Sequence, residues 1–154
     1  RLVIIGAGAE LAELKKIAGG SVRLLGYQNF DVIRQHYAQC KALIFPGVED
    51  FGMVPVEAMA SGRPVIALAQ GGVLDTVIDG ETGVFFNTPD INALNGAIKK
   101  FEENYQTFLS EQIRQHAQQF NSAIFRKRIK VFIEKCIQTQ LNCNCLTPPL
   151  KKGD

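Results

Sequence analysis

"KALIFPGVEDFGMVPVEAMASGRPVIALA", Lys41 to Ala69, holds a short apolar run, a loop broken by glycine and proline, a helix-like segment and a second apolar run. Both apolar runs are continuous rather than alternating. Strands read that way when a sheet is covered on both faces, and a helix between two of them is the crossover of a parallel pair. The helix, within "MVPVEAMASG", carries Pro55 near its first turn and Gly62 just past its end. Proline lacks the N–H that a first turn leaves unused, and glycine takes the left-handed turn that ends a helix. The loop before it poses a chemical question. Glu49 stands on the loop, Phe51-Gly52 follow, and Glu57 lies one turn into the helix. A carboxylate in a half-buried segment is costly unless solvent, a partner or a ligand meets it.

The same pattern extends in both directions. Upstream, "RLVIIGAG" reads as a strand entering a glycine turn, and "AELAELKKIA" as a helix with Leu11, Leu14 and Ile17 on one side. "GGSVRLLGY" gives a turn and a second strand, and "NFDVIRQHYAQC" a helix capped by Asn29 or Asp31. Downstream come a glycine turn and short helix in "QGGVLDTVIDGE", a β-branched and aromatic strand in "TGVFF", and a helix capped by Asp90 in "DINALNGAIKKFEEN". The expected fold is α/β: a doubly wound, Rossmann-like parallel sheet with helices on both faces. Such sheets bind ligands at the carboxyl ends of their strands. Here those ends are Gly6-Ala7-Gly8, Gly26-Tyr27, Pro46 to Phe51, and Gln70-Gly71-Gly72.

Beyond about residue 105 the pattern is all helical. Phe125, Ile129, Phe132, Ile133 and Cys136 form an apolar stripe that predicts a docked helix. "FRKRIK" interleaves with it, and reads either as a solvated face or as a basic face for a membrane surface. We expect one domain over residues 1–140 and a disordered tail over 141–154, which contains "LNCNCLTPPLKKGD".

The 154 residues suffice for one cored domain, and a net charge of +2 gives no reason to expect a nucleic-acid partner. No apolar run nears the roughly 20 residues that span a bilayer. The chain opens on Arg1 and runs directly into an apolar strand, without a leader pattern, so it reads as a piece of something longer. Cys40, Cys136, Cys143 and Cys145 lack the framework of a secreted scaffold, which favours a reducing, cytoplasmic setting. Cys143-x-Cys145 lacks the further ligands of a zinc site, and no metal is expected. "GAGAEL" is an incomplete dinucleotide fingerprint: Leu11 replaces the third glycine, and Asp31 falls in a helix rather than at a strand end. His36 and His116 sit in helical segments without a catalytic motif, which predicts structural roles.

The loop at Glu49 has two readings on its residues alone. Carboxylates at two points accept from paired hydroxyls, and a glycine-led helix start offers free N–H groups to an anion between them. That arrangement suits a sugar, a diphosphate and a ribose. Alternatively, Glu49 is a solvated loop residue and Glu57 only complements the helix start.

The stretch "FPGVEDFGMVPVEAMASGRPVIALAQGGVLDTVIDGETGVFF" resembles the C-terminal, donor-binding domain of family-4 retaining glycosyltransferases, which have the GT-B fold. The resemblance rests on Glu49 and Glu57, Phe51-Gly52, "EAMASGRPVIA", "QGG" and "VIDGETGVFF", and it spans roughly residues 1–105. The wording "EDFGMVPVEA" with "QGG" resembles mannosyltransferases of that family. The resemblance implies a hexose, with mannose from GDP-mannose as the example, transferred to a glycan or lipid-linked acceptor. It implies no cofactor beyond the nucleotide-sugar substrate. Glu49 would meet the hydroxyls of the transferred sugar as the catalytic-site carboxylate. The backbone of Asp50, Phe51, Gly52 and Met53 would approach sugar and diphosphate, and Glu57 would hold the ribose. Gly26, Tyr27 and Gln28 would lie by the base, with Gly6 and Gly8 on the same rim.

Asp75 stands where the family more often has glutamate. The family's diphosphate-binding Arg and Lys, on an earlier strand and loop, and its acceptor domain would precede Arg1. The chain alone is therefore expected to bind nucleotide weakly and to transfer nothing. Acceptor binding, and any peripheral membrane contact, would fall to the preceding domain or the basic helix. Two rival readings fit the same residues, a GT-B-type nucleotide-sugar epimerase and a non-catalytic nucleotide- or glycan-binding module. A dinucleotide oxidoreductase is disfavoured by the broken fingerprint.

Overall fold

The computed structural model describes residues 1–144 and, within the last helix, side chains through 140. The strands are β1 (Leu2–Ile4), β2 (Val22–Leu24), β3 (Leu43–Phe45), β4 (Val65–Leu68) and β5 (Gly83–Phe86). The helices are α1 (Leu11–Ile17), α2 (Phe30–Gln39), α3 (Met53–Ala60), α4 (Val73–Thr76), α5 (Ile91–Glu103), α6 (Ser110–Ala117) and α7 (Ser122–Asn144). Every strand pairing is parallel. The strand-helix alternation read from the sequence is present element by element.

Local chemistry sets several boundaries. Asn29, not Asp31, caps α2, accepting from the Val32 N–H at 3.0 Å. Asp90 caps α5 by accepting from the Ala93 N–H at 2.9 Å. Its carboxyl is held below the usual range by the bonds from the Thr88 hydroxyl and the Ala93 amide. Helix α3 ends on Gly62, where φ is +75°. The Gly62 N–H bonds to the Met59 carbonyl and the Arg63 N–H to the Ala58 carbonyl, which satisfies two of the carbonyls a helix end leaves open.

The core lies around β4. Val65, Ile66, Ala67 and Leu68 are all buried. Ile66 stands between Ile44 of β3 and Val84 of β5 in the ladder. Helix α3 lies against β3 and β4, helix α5 against β4 and β5, and α6 packs on α3. Met59, Ala97, Phe101, Phe108 and Ile113 close the cluster. Each of the larger side chains contributes about 1.5–3 kcal/mol by leaving water.

One feature departs from the expected single sheet. The strands form two sheets, β1-β2 and β3-β4-β5, and among the described residues no strand joins them. No residue before Tyr37 is buried. Leu14 and Ile17, on the expected inner side of α1, are 39% and 80% exposed. A strand with one ladder neighbour and no deep helix cover cannot bury its side chains, however apolar they are.

The chain forms two compact units, Arg1–Ala117 and the residues from Gln118 onward. The second begins with a 3-10 turn over Gln118–Phe120; the Asn121 Oδ1 then accepts from the Ile124 N–H at 2.9 Å, and the chain continues as α7. The predicted stripe on α7 is exposed at Phe125, Ile129, Phe132, Ile133 and Cys136. No described helix is long and apolar enough to cross a membrane. Cys145 and the rest of the expected tail to Asp154 lie outside the described residues.

Candidate functional site

The loop from β3 to α3 leaves the core at Phe45, which is buried, and runs exposed from Pro46 to Phe51. At Gly52 it turns back inward with φ +79°, a left-handed conformation that side chains resist. Helix α3 then starts without any side-chain cap. Its first turn includes Pro55, so that turn has one N–H fewer to satisfy.

What holds this loop is the turn after β4. The Gly72 N–H bonds to the Glu49 carbonyl at 2.8 Å. A Cβ on Gly72 would lie 2.2 Å from the Asp50 carbonyl oxygen and 2.4 Å from the Phe51 Cα. One backbone is pressed directly on the other, and only glycine allows that approach. The Glu49 and Asp50 side chains stay exposed while their backbone is fixed. Met53 is 60% exposed at the helix start. "QGG" was legible as a turn, but its grip on residues 49–51 was not.

Glu57 sits one turn into α3 and is half-buried. Its Oε2 accepts from the Tyr37 hydroxyl at 3.3 Å, across from α2. Tyr37 is buried, and its hydroxyl is held far above the ordinary phenol range. Burial is the largest cause, followed by the charge of Glu57 and the bond to it. The phenol therefore stays a donor at any physiological pH. Nearby, burial also pushes the Cys40 thiol up, against the opposing pull of Arg63. Arg63 donates from Nη2 to the Ala38 carbonyl, so α2 and the end of α3 are tied at a second point. Tyr37 was not among the residues the sequence singled out.

The glycine turns of the first sheet meet each other. The Gly6 N–H bonds to the Gly26 carbonyl at 2.8 Å, joining the ends of β1 and β2. Gly8 accepts from the Leu11 N–H at the start of α1. Gln28 folds back to donate to the Leu25 carbonyl at 2.8 Å, leaving Tyr27 82% exposed between them. The predicted residues thus gather in two groups. Gly6, Gly8, Gly26, Tyr27 and Gln28 belong to the β1-β2 sheet, and Glu49 to Met53 with Glu57 to the β3-β4-β5 sheet. Helix α2 connects them, since it starts beside Gln28 and carries Tyr37.

His116 shares a hydrogen bond of 2.8 Å with the Thr76 carbonyl, tying α6 to the end of α4. A carbonyl only accepts, so Nε2 carries the proton. Two surface clefts lie elsewhere, one at Lys41, Phe101 and Tyr105 and one at Phe86, Thr88 and Lys100. Neither is lined by Glu49, Glu57 or the glycine turns. Among the described residues no group of His, Cys, Asp and Glu is arranged to hold a metal ion.

Residues 1–120 match the family model described as glycosyl transferases group 1. The alpha-1,3/1,6-mannosyltransferase ALG2 of Dictyostelium discoideum is 45% identical over 62 residues, covering 40% of this chain and 14% of that protein. The structure of sucrose-phosphate synthase from Thermosynechococcus elongatus superposes with a TM-score of 0.72 at 29% identity, over 88% of this chain and 38% of the other. HepE of Anabaena, solved with UDP-glucose, superposes with a TM-score of 0.65 at 25% identity, over 86% of this chain and 40% of the other. The chain thus spans well under half the length of the proteins it matches.

Proposed function

This chain belongs to the glycosyl transferases group 1 family, and from that premise we propose that it is the donor-binding part of a hexosyltransferase with the GT-B fold. The substrate is a nucleoside-diphosphate sugar, and the acceptor is a glycan or a lipid-linked glycan bound by polypeptide outside these residues. HepE, with its UDP-glucose, and the mannosyltransferase relative support this class. Of the hexoses we favour mannose carried by GDP, on the "EDFGMVPVEA" wording. The resemblance of the Glu49–Glu57 motif to family-4 enzymes supports retention of anomeric configuration.

The observation that carries the reading is the backbone clamp of Gly72 on residues 49–51, with Glu57 one helical turn beyond. A fixed backbone aims N–H groups without reorganising, which is how such groups stabilise a leaving diphosphate. In this scheme Glu49 accepts from the hydroxyls of the sugar, Glu57 from those of the ribose, and the Gly26–Gln28 turn lies by the base. In this scheme no metal is needed, because N–H dipoles and cations on polypeptide outside these residues carry the charge. The chain by itself binds nucleotide weakly and transfers no sugar, since the acceptor must be positioned and water excluded for turnover.

The test is calorimetric titration of the chain with GDP, UDP, ADP and NAD, repeated with Glu57→Ala. One nucleoside diphosphate should saturate, and the substitution should weaken it about tenfold or more, the scale of hydrogen bonds to a charged group. Preference for NAD, or no saturable binding into the millimolar range, would overturn the proposal. In the full-length parent, Glu49→Ala should abolish turnover; a non-catalytic binding module would have no turnover to lose.

A further inference from the structure

Tyr37 lies outside every motif that points to donor binding, yet it is the first buried residue of the chain and spends its hydroxyl on Glu57. A buried phenol needs an acceptor, and backbone carbonyls are the common choice. Here the acceptor is the one half-buried carboxylate of the candidate site. We infer that Tyr37 is a positioning residue for Glu57. It fixes the carboxylate for the paired hydroxyls of the ribose, and so helps set the preference for ribonucleotides over deoxyribonucleotides. This inference rests on the assignment of Glu57 to the ribose.

The stereochemistry permits it. A carboxylate offers about four acceptor positions. Tyr37 takes one on Oε2, and about three remain for two ribose hydroxyls. At 3.3 Å the contact is long for a hydroxyl donor, so it tightens readily once a ligand draws the carboxylate into place. Raised far above its ordinary range, the phenol never competes as a second anion beside Glu57. The placement also has a consequence for the base. Helix α2 begins at Phe30, directly after the Gly26–Gln28 turn and its Asn29 cap, and Tyr37 rides two turns along it. A shift of the base-side turn therefore moves the donor that orients the ribose-side carboxylate.

The experiment compares a ribonucleotide with its 2′-deoxy counterpart, GDP against 2′-deoxy-GDP and UDP against 2′-deoxy-UDP, on the chain and on Tyr37→Phe and Glu57→Ala. The chain should prefer the ribonucleotide about tenfold. Glu57→Ala should erase the preference. Tyr37→Phe should shrink it to about two- to threefold, with the larger loss on the ribonucleotide, because the deoxyribonucleotide keeps only one of the two hydroxyls that need the carboxylate in place. A purely structural Tyr37 would lower the melting temperature without changing the ratio, and that result overturns the inference while leaving Glu57 in its role. A chain without ribose preference, or one that keeps it in Glu57→Ala, overturns the Glu57 assignment and this inference together. Tyr37→Met fills the site without a donor and gives the same reading if the phenylalanine variant does not fold.

Discussion

Strands β1 and β4 are spelled almost alike, Leu-Val-Ile and Val-Ile-Ala-Leu, and the molecule treats them differently. All four residues of β4 are buried, while β1 buries none. β4 has a ladder on each side and takes cover from α3 and α5; β1 has one ladder, to β2, and α1, which joins the two in the chain, buries no residue. An apolar strand becomes core only through its neighbours. The same contrast divides the candidate site. The loop at Glu49 is gripped by a second backbone, whereas around Gly6, Gly8 and Gly26 an added Cβ would meet open space.

Amide exchange offers the widest separation. Amides of β4 should exchange only through global opening, and those of β1 orders of magnitude faster, since local opening suffices there. Equal protection would erase the comparison. Next in size, Ile66→Ala should cost about 2–5 kcal/mol, as large-to-small changes in a closed core do. Val3→Ala, half-buried in β1, should cost about 1 kcal/mol or less in the same denaturant titration. Gly72→Ala should cost about 1–3 kcal/mol through overpacking, and should also weaken nucleotide binding by displacing residues 49–51. Its control, Gly8→Ala, has space around it and should leave stability unchanged. The smallest effect belongs to the α5 cap. Asp90 has its carboxyl lowered in the fold, so its contribution is present at neutral pH and declines as pH falls through the acid range below the usual aspartate value. Melting curves of the chain and of Asp90→Asn should converge there.

Much of this was legible because it is local. The Asp90 cap, the Gly62 helix end and the period of each strand depend on residues within four or five positions, where side-chain and backbone preferences act directly. The Glu49–Glu57 pair was legible as a spacing. Its supports were not. Tyr37 reaches Glu57 across twenty positions, and Gly72 reaches Glu49 from the next crossover. The Asn29-or-Asp31 ambiguity lay between, since both are good caps and only the backbone angles at Asn29 decide.

The amino-acid sequence by itself determined the alternation of strand and helix, the parallel connection, the glycine turns and the two carboxylates, one on a loop and one a turn into the next helix. Tertiary structure alone decided that the strands divide into two sheets. It decided that β4 and not β1 is core. It also decided that a buried tyrosine holds Glu57. The reason is that burial and hydrogen-bond partnership are properties of pairs far apart in the chain, and an apolar run or a lone glutamate is the same string whether or not its partner arrives.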